Sequence, residues 1–403
     1  MTSTYLDSRG HNHGGHNHGG HDHGGHDHGG GDHGGGDHGG GDAEGSYGGA
    51  ARHPLTTKQG WACFAAQSGH PTPPRLLPAE DFDRLDGLER ELYNEIRQDY
   101  HSALLLVATP DIKRIITTGS KLIINNRGKQ LGRRGLLISG ASGTGKSTSI
   151  TQLGKKFQIE TERRTPGVDG RIPVVYIVCP ADANPKMLAT EMATFLGLPV
   201  AERDSPQSVA HTVAAVMRRV GTSLVLVDEI HRLFLSGRRG RDASDQLKYF
   251  FDTISATFVY AGLDLAETGM FAGVRGRQIA GRFIPVNTGP FTHRAADAQR
   301  DWAKLVATME QALRLHHHKP GTLVKMAPYL HARAGGMIGS LDQLVHEAAN
   351  DAITDGTEKI TKAHLDAVIL DLAAINQYDP DPGPGHGRHH RRDGAGHNSA
   401  GGS

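Results

Sequence analysis

The chain has 403 residues, a formal net charge of +1 and two cysteines, and the length allows two or three domains. Cys63 and Cys179 stand more than a hundred residues apart, which argues against a disulfide framework and a cysteine zinc site. No apolar run approaches the ~18–20 residues of a membrane span, and the N-terminus lacks the apolar core of a signal peptide, so a cytoplasmic protein with no membrane partner is expected. The small net charge hides a middle section with 40 basic and 33 acidic residues, an excess that suits a polyanionic partner.

Residues 1–50 hold 19 of the 54 glycines and 10 of the 26 histidines. They have too few apolar side chains to offset the entropy of ordering, so a disordered tail is expected. From His11 to Asp42 a Gly-Gly-His-Asx-His unit decays to Gly-Gly-Gly-Asp-His. Such a tract is expected to be able to take up Ni²⁺, Cu²⁺ or Zn²⁺ adventitiously. Whether it is a linker or a metal store is open, and its affinity should fall as pH drops through about 6.5. Residues 51–78, with Trp61 and Phe64 among prolines, read as a linker or docking segment, with packing on the main domain as the alternative.

From Asp81 the spacing of Leu85, Leu88, Leu92, Ile96 and Ala103 predicts a helix with an apolar stripe. Thr109-Pro110 starts another, with a capping residue and a proline at the first helical position. Short β-rich runs then alternate with helical stretches: Leu136–Ser139, Val174–Cys179, Ser223–Val227 and Thr257–Ala261. That alternation means a parallel sheet flanked by helices, an α/β domain over 79–290. No strand is predicted after His293; helices at Ala295–Leu315, Leu341–Ile353 and Lys362–Ala374 form a C-terminal helical lid, 291–378. His316, His317 and His318, beside Lys319-Pro320 at a helix end, are expected to bond to the last carbonyls. Residues 379–403 read as a second disordered tail.

Gly140-Ala141-Ser142-Gly143-Thr144-Gly145-Lys146-Ser147 follows the first strand and has the spacing of a phosphate-binding loop. Its glycines let successive N–H groups turn inward on a β-phosphate, and the next helix presents its positive end to the same charge. Lys146 is expected to reach the β- and γ-phosphates, and Ser147 to ligate Mg²⁺, with Thr148 completing the nucleotide-contacting set. The strand ending in Asp228-Glu229 supplies the partners: Asp228 for the Mg²⁺ shell, Glu229 to orient and deprotonate the attacking water. Asp264, after the fourth run, is the nearest polar side chain to the expected γ-phosphate position. Arg275, Arg277 and Arg282 form a basic stretch read either as a solvated face or as the source of an arginine for a neighbouring subunit's γ-phosphate.

Together these residues resemble the AAA+ P-loop NTPases, most closely the TniB/TnsC/MuB-like transposition helpers. The likeness rests on the loop, on Asp228-Glu229-Ile230-His231 with Arg232-Leu233, on Arg282-Phe283, and on Gly335-Gly336-Met337-Ile338-Gly339 opening a lid helix; it spans roughly Asp81 to Ile375. The resemblance implies an Mg²⁺-dependent ATPase that oligomerises as a ring or filament on duplex DNA without sequence preference. It further implies target selection and recruitment of a DDE-type transposase, with Arg282 as the trans-acting finger. One departure is plain: related ATPases often carry a lid arginine in a Gly-Asp-x-Arg context, where this chain has Ile338, so slow turnover is expected. For DNA, the basic loops are Arg163, Arg164 and Arg171, and Arg238, Arg239 and Arg241. A signalling switch of the AAA+/STAND type, or a replication initiator, is the competing reading.

Overall fold

The computed structural model describes residues 53–67, 72–103, 107–233, 237–265 and 280–370, without the side chains of 237–244. In chain order, α1 (Lys58–Ala66), α2 (Ala79–Arg84), α3 (Gly87–Ser102) and α4 (Pro110–Asn126) precede β1 (Gly135–Ser139), α5 (Lys146–Arg164) and β2 (Val174–Val178). Next come α6 (Pro185–Leu196), α7 (Pro206–Arg219), β3 (Leu224–Asp228), α8 (Gly237–Thr253), β4 (Thr257–Gly262) and β5 (Phe283–Asn287). The C-terminal part holds α9 (Ala296–Ala312), α10 (Thr322–Lys325), α11 (Ala327–Ala334), α12 (Ile338–Thr354) and α13 (Lys362–Ala367).

The expected parallel sheet is present, in the order β2-β3-β4-β1-β5. Strands β1 to β4 are apolar almost throughout because helices cover both faces. The fifth strand is absent from the sequence-based expectation. It sits at the sheet edge, is buried only at Phe283 and Val286, and contains Pro285, a residue an edge strand tolerates because one side of its backbone has no partner to bond. Local signals set several helix starts. Thr109, Asn184 and Ser205 each accept an N–H from the first turn, and each is followed by proline, which has no N–H to leave unsatisfied.

The stripe expected on α3 is not buried: Leu88, Leu92 and Ile96 are 68%, 46% and 58% exposed. The face that packs on α12 instead carries Arg97 and His101. A fully buried Arg97 makes two bonds, 2.7 and 2.8 Å, to the Glu358 carboxylate and a third to the Arg314 carbonyl at 3.1 Å. A charge pair, not apolar complementarity, chose the face. The histidine triplet also departs from expectation. His316 stacks on Phe82 at 4.1 Å and meets the Tyr93 hydroxyl at 3.1 Å, while His318 pairs with Glu310 at 3.0 Å.

His101 accepts the Arg314 N–H at Nε2, 3.0 Å, and burial pushes its pKa down to about 3. Below pH 6.5 the unfolded chain takes up this proton and the folded chain does not, so the stability is complete above 6.5 and is lost progressively toward pH 3. Melting temperature should therefore drop between pH 7 and pH 5, this group alone contributing about 2 kcal/mol by pH 5. His101→Gln, which keeps an acceptor, should flatten the dependence.

Candidate functional site

The phosphate loop leaves β1 and enters α5 at the carboxyl edge of the sheet, and its conformation depends on glycine at two points in particular. Gly145 has φ +84, a left-handed geometry that a β-carbon disfavours. At Gly140 a β-carbon would fall 2.2 Å from the Thr288 carbonyl oxygen, so the loop lies directly against the end of β5. Thr288 then ties the two together: its N–H donates to the Ser139 carbonyl at 2.8 Å, and its hydroxyl pairs with that of Thr144 at 2.8 Å. Thr144 in turn donates to the Ala141 carbonyl, also at 2.8 Å.

Ser142, Gly143, Gly145, Lys146, Ser147 and Thr148 line one cavity with Glu229, and from the lid Ile338, Gly339 and Asp342 join them. The start of α12 reaches the loop itself, Gly339 donating its N–H to the Gly143 carbonyl at 3.1 Å. Lys146 is buried, with its ammonium bonded to the carbonyls of Gly140 and Ala141 at 2.9 and 2.6 Å. Burial lowers its pKa, against the opposing pull of Glu229, Asp228 and Asp264. A glycine-rich loop leading into a helix N-terminus, one buried ammonium and a facing carboxylate fit a nucleoside triphosphate. Ser147 and Asp228 would hold Mg²⁺.

Asp228 ends β3 with both carboxylate oxygens engaged. Oδ1 accepts the Glu229 N–H at 2.9 Å, and Oδ2 accepts the Tyr176 hydroxyl at 3.3 Å. Glu229 takes φ +54, a sparsely populated conformation for a residue with a β-carbon. That backbone turn aims its carboxylate at the cavity, between His231 Nε2 at 3.6 Å and Arg232 at 3.3 Å. His231 is fixed from behind by the Leu263 N–H, 3.2 Å from Nδ1. Asp264 is exposed, though its charge is felt at Lys146.

Arg282 lies at the opposite end of β5, its carbonyl accepting the Gly135 N–H at 2.9 Å, so the length of β1, about 16 Å, separates it from its own phosphate loop. Its guanidinium pairs with Asp252 and covers the Phe251 ring. Arg164 and Arg171 meet Arg127 in a cleft at this same edge, floored by Phe157 and Ile123 and edged by hydroxyls. Arg275, Arg277, the His11–Asp42 repeat and the side chains of Arg238, Arg239 and Arg241 lie outside the described residues. Among the described residues no group of three or more His, Cys, Asp or Glu is placed to hold a metal, and no helix is long and apolar enough to cross a membrane.

Sequence reasoning missed Thr288, Tyr176 and the orienting role of His231. Tyr176 and Thr288 belong to no linear motif; only strand order brings them to the site. Thr288→Val should weaken binding of an ATP analogue roughly fivefold in calorimetry, the worth of one hydrogen bond of about 1 kcal/mol, with little change in melting temperature.

Comparison with known proteins agrees with this fold. The family model for the bacterial TniB protein matches residues 97–293. No curated protein matches. Among solved structures, the Aeropyrum pernix ORC2 protein in its ADPNP-ADP complexes superposes with TM-score 0.50 at 14% identity, covering 65% of this chain and 67% of that one. Its ADP form gives TM-score 0.50 at 14% identity, over 68% and 69%. At such identity the two structures speak for the fold alone. Residues 97–293, just under half of the chain, are thus similar to the bacterial TniB family, and the fold is that of the AAA+ P-loop NTPases.

Proposed function

We propose that the chain binds and hydrolyses Mg²⁺·ATP as an oligomer, engages duplex DNA without sequence preference, and uses the nucleotide state to present target DNA to a DDE-type transposase. The observation that carries the nucleotide half is the convergence of Lys146, Ser147 and Glu229 on one cavity from strands that are not adjacent. Amides of the 140–147 loop would grip the phosphates and Lys146 would neutralise them. Mg²⁺ held by Ser147 and Asp228 supplies further charge neutralisation on the phosphate oxygens. Glu229 orients water and accepts its proton, with His231 and Arg232 holding the carboxylate in place. The lid presents Ile338, Gly339 and Asp342 to this cavity, which supports slow turnover.

Support for the DNA half is the basic excess of the middle section and the grouping of Arg127, Arg164 and Arg171 in one cleft with no carboxylate among its lining residues. Arg238, Arg239 and Arg241 form the second DNA-contacting set in this reading. The position of Arg282 at the sheet edge remote from its own phosphates supports a role at a neighbouring subunit's nucleotide. The transposase rests on the similarity of residues 97–293 to the TniB family.

Random-sequence duplex should be retarded in an electrophoretic mobility assay when a slowly hydrolysed ATP analogue is present, and the binding should weaken steeply with salt. Arg164→Ala with Arg171→Ala should reduce the log–log salt slope by about 2. No retardation at low salt with analogue present would favour a signalling switch. Glu229→Gln should retain ATP binding and lose at least about 100-fold in hydrolysis.

A further inference from the structure

Tyr176 reaches the acid pair from β2, the strand beside β3, and its surroundings extend the site to a part of the chain outside the family match. Its hydroxyl donates to Asp228 Oδ2 at 3.3 Å. Its ring lies against Trp61 of α1, centroids 5.7 Å apart and planes 28° apart. Trp61 is 2% exposed and occupies a notch over Gly154 on α5, where a β-carbon would come within 2.6 Å of the indole Cη2. The next residue, Lys155, secures the same helix: its ammonium donates to the Gln67 carbonyl at 2.7 Å and sits over the Phe64 ring at 4.8 Å. Helix α1 therefore touches the helix that carries the phosphate loop and, through one aromatic ring, the carboxylate beside it.

The Asp228 carboxylate offers about four lone-pair sites. The Glu229 N–H takes one and the Tyr176 hydroxyl another, which fixes the plane of the group and leaves the remaining sites for a metal-bound water. A phenylalanine would fill the same volume against Trp61 without fixing that plane. The hydroxyl has a stabilising role of its own because a buried O–H needs an acceptor, and here it has a charged one.

We propose that Tyr176 is a positioning residue for the metal-side acid Asp228, and that Trp61, through its stack on Tyr176, makes residues 53–67 a working part of the nucleotide site. This rests on the ATPase reading above. Outer-shell partners of metal-linked groups typically contribute 10- to 100-fold to metal affinity, and the 3.3 Å bond places this one near the lower end.

The test is Mn²⁺ binding, followed by electron paramagnetic resonance, to the full chain saturated with a slowly hydrolysed ATP analogue. Affinity for the analogue in EDTA is measured in parallel. Tyr176→Phe should weaken Mn²⁺ binding roughly tenfold and Trp61→Phe about threefold in the same direction, while metal-free nucleotide affinity stays at the wild-type value in both. Wild-type Mn²⁺ affinity in Tyr176→Phe overturns the proposal. An equal loss in EDTA also overturns it, since that is the mark of general loosening of the fold. Should Trp61→Phe melt far below wild type, Tyr176→Phe alone decides, because it removes one oxygen and keeps the stack. If wild type fails to bind the analogue, or Lys146→Ala binds it as tightly, the ATPase reading falls and this inference with it; those arms are scored separately from the Mn²⁺ titrations.

Discussion

One spacing governs the site: β4 lies between β1 and β3, so the phosphate loop and the acid pair leave the sheet two inter-strand steps apart, about 10 Å. That gap accommodates a triphosphate between a cationic lip and an anionic one. The sheet order is therefore the element on which loop, acids and lid all depend, and the apolar runs of β1, β3 and β4 specify it by requiring burial on both faces.

The lid is joined to the rest of the chain by a different kind of interaction. Arg97 and Glu358 form a buried, bidentate ion pair, with Asn94 and the Arg314 carbonyl satisfying other guanidinium donors. Such a pair adds little net stability over an apolar substitute, yet losing one partner leaves a stranded charge at a cost of about 3–5 kcal/mol. It specifies the packing of α3 on α12 more than it strengthens it. Because α12 also begins at the phosphate loop, a helix near the start of the described chain is linked by one further helix to the nucleotide cavity.

Much of this was legible in the sequence where a motif is local. The phosphate loop, the acid pair, four strands and the capped start at Thr109 all follow from neighbours within a few residues. What was not legible is what distant parts of the chain decide. Pro285 and burial at only Phe283 and Val286 concealed an edge strand. The leucine spacing on α3 is real helical periodicity, but Glu358, more than 250 residues away, made the opposite face the buried one. Trp61 and Tyr176 stand over a hundred residues apart, and no spacing rule connects them. The side chains flanking the acid pair at 237–244, and Arg275 and Arg277, lie outside the described residues.

On the function proposed above, the contact between Arg282 and Asp252 would bear on how subunits come together. Both side chains are about half open to solvent, 40% and 48%, and an ion pair that wet is worth only about 0–1 kcal/mol. Asp252 thus parks the guanidinium without locking it. On that function, a more concentrated negative charge arriving from an adjoining copy, the nucleotide, would outcompete one solvated carboxylate. An empty neighbour offers no such attraction, so cohesion between protomers would itself report whether ATP is present at the junction.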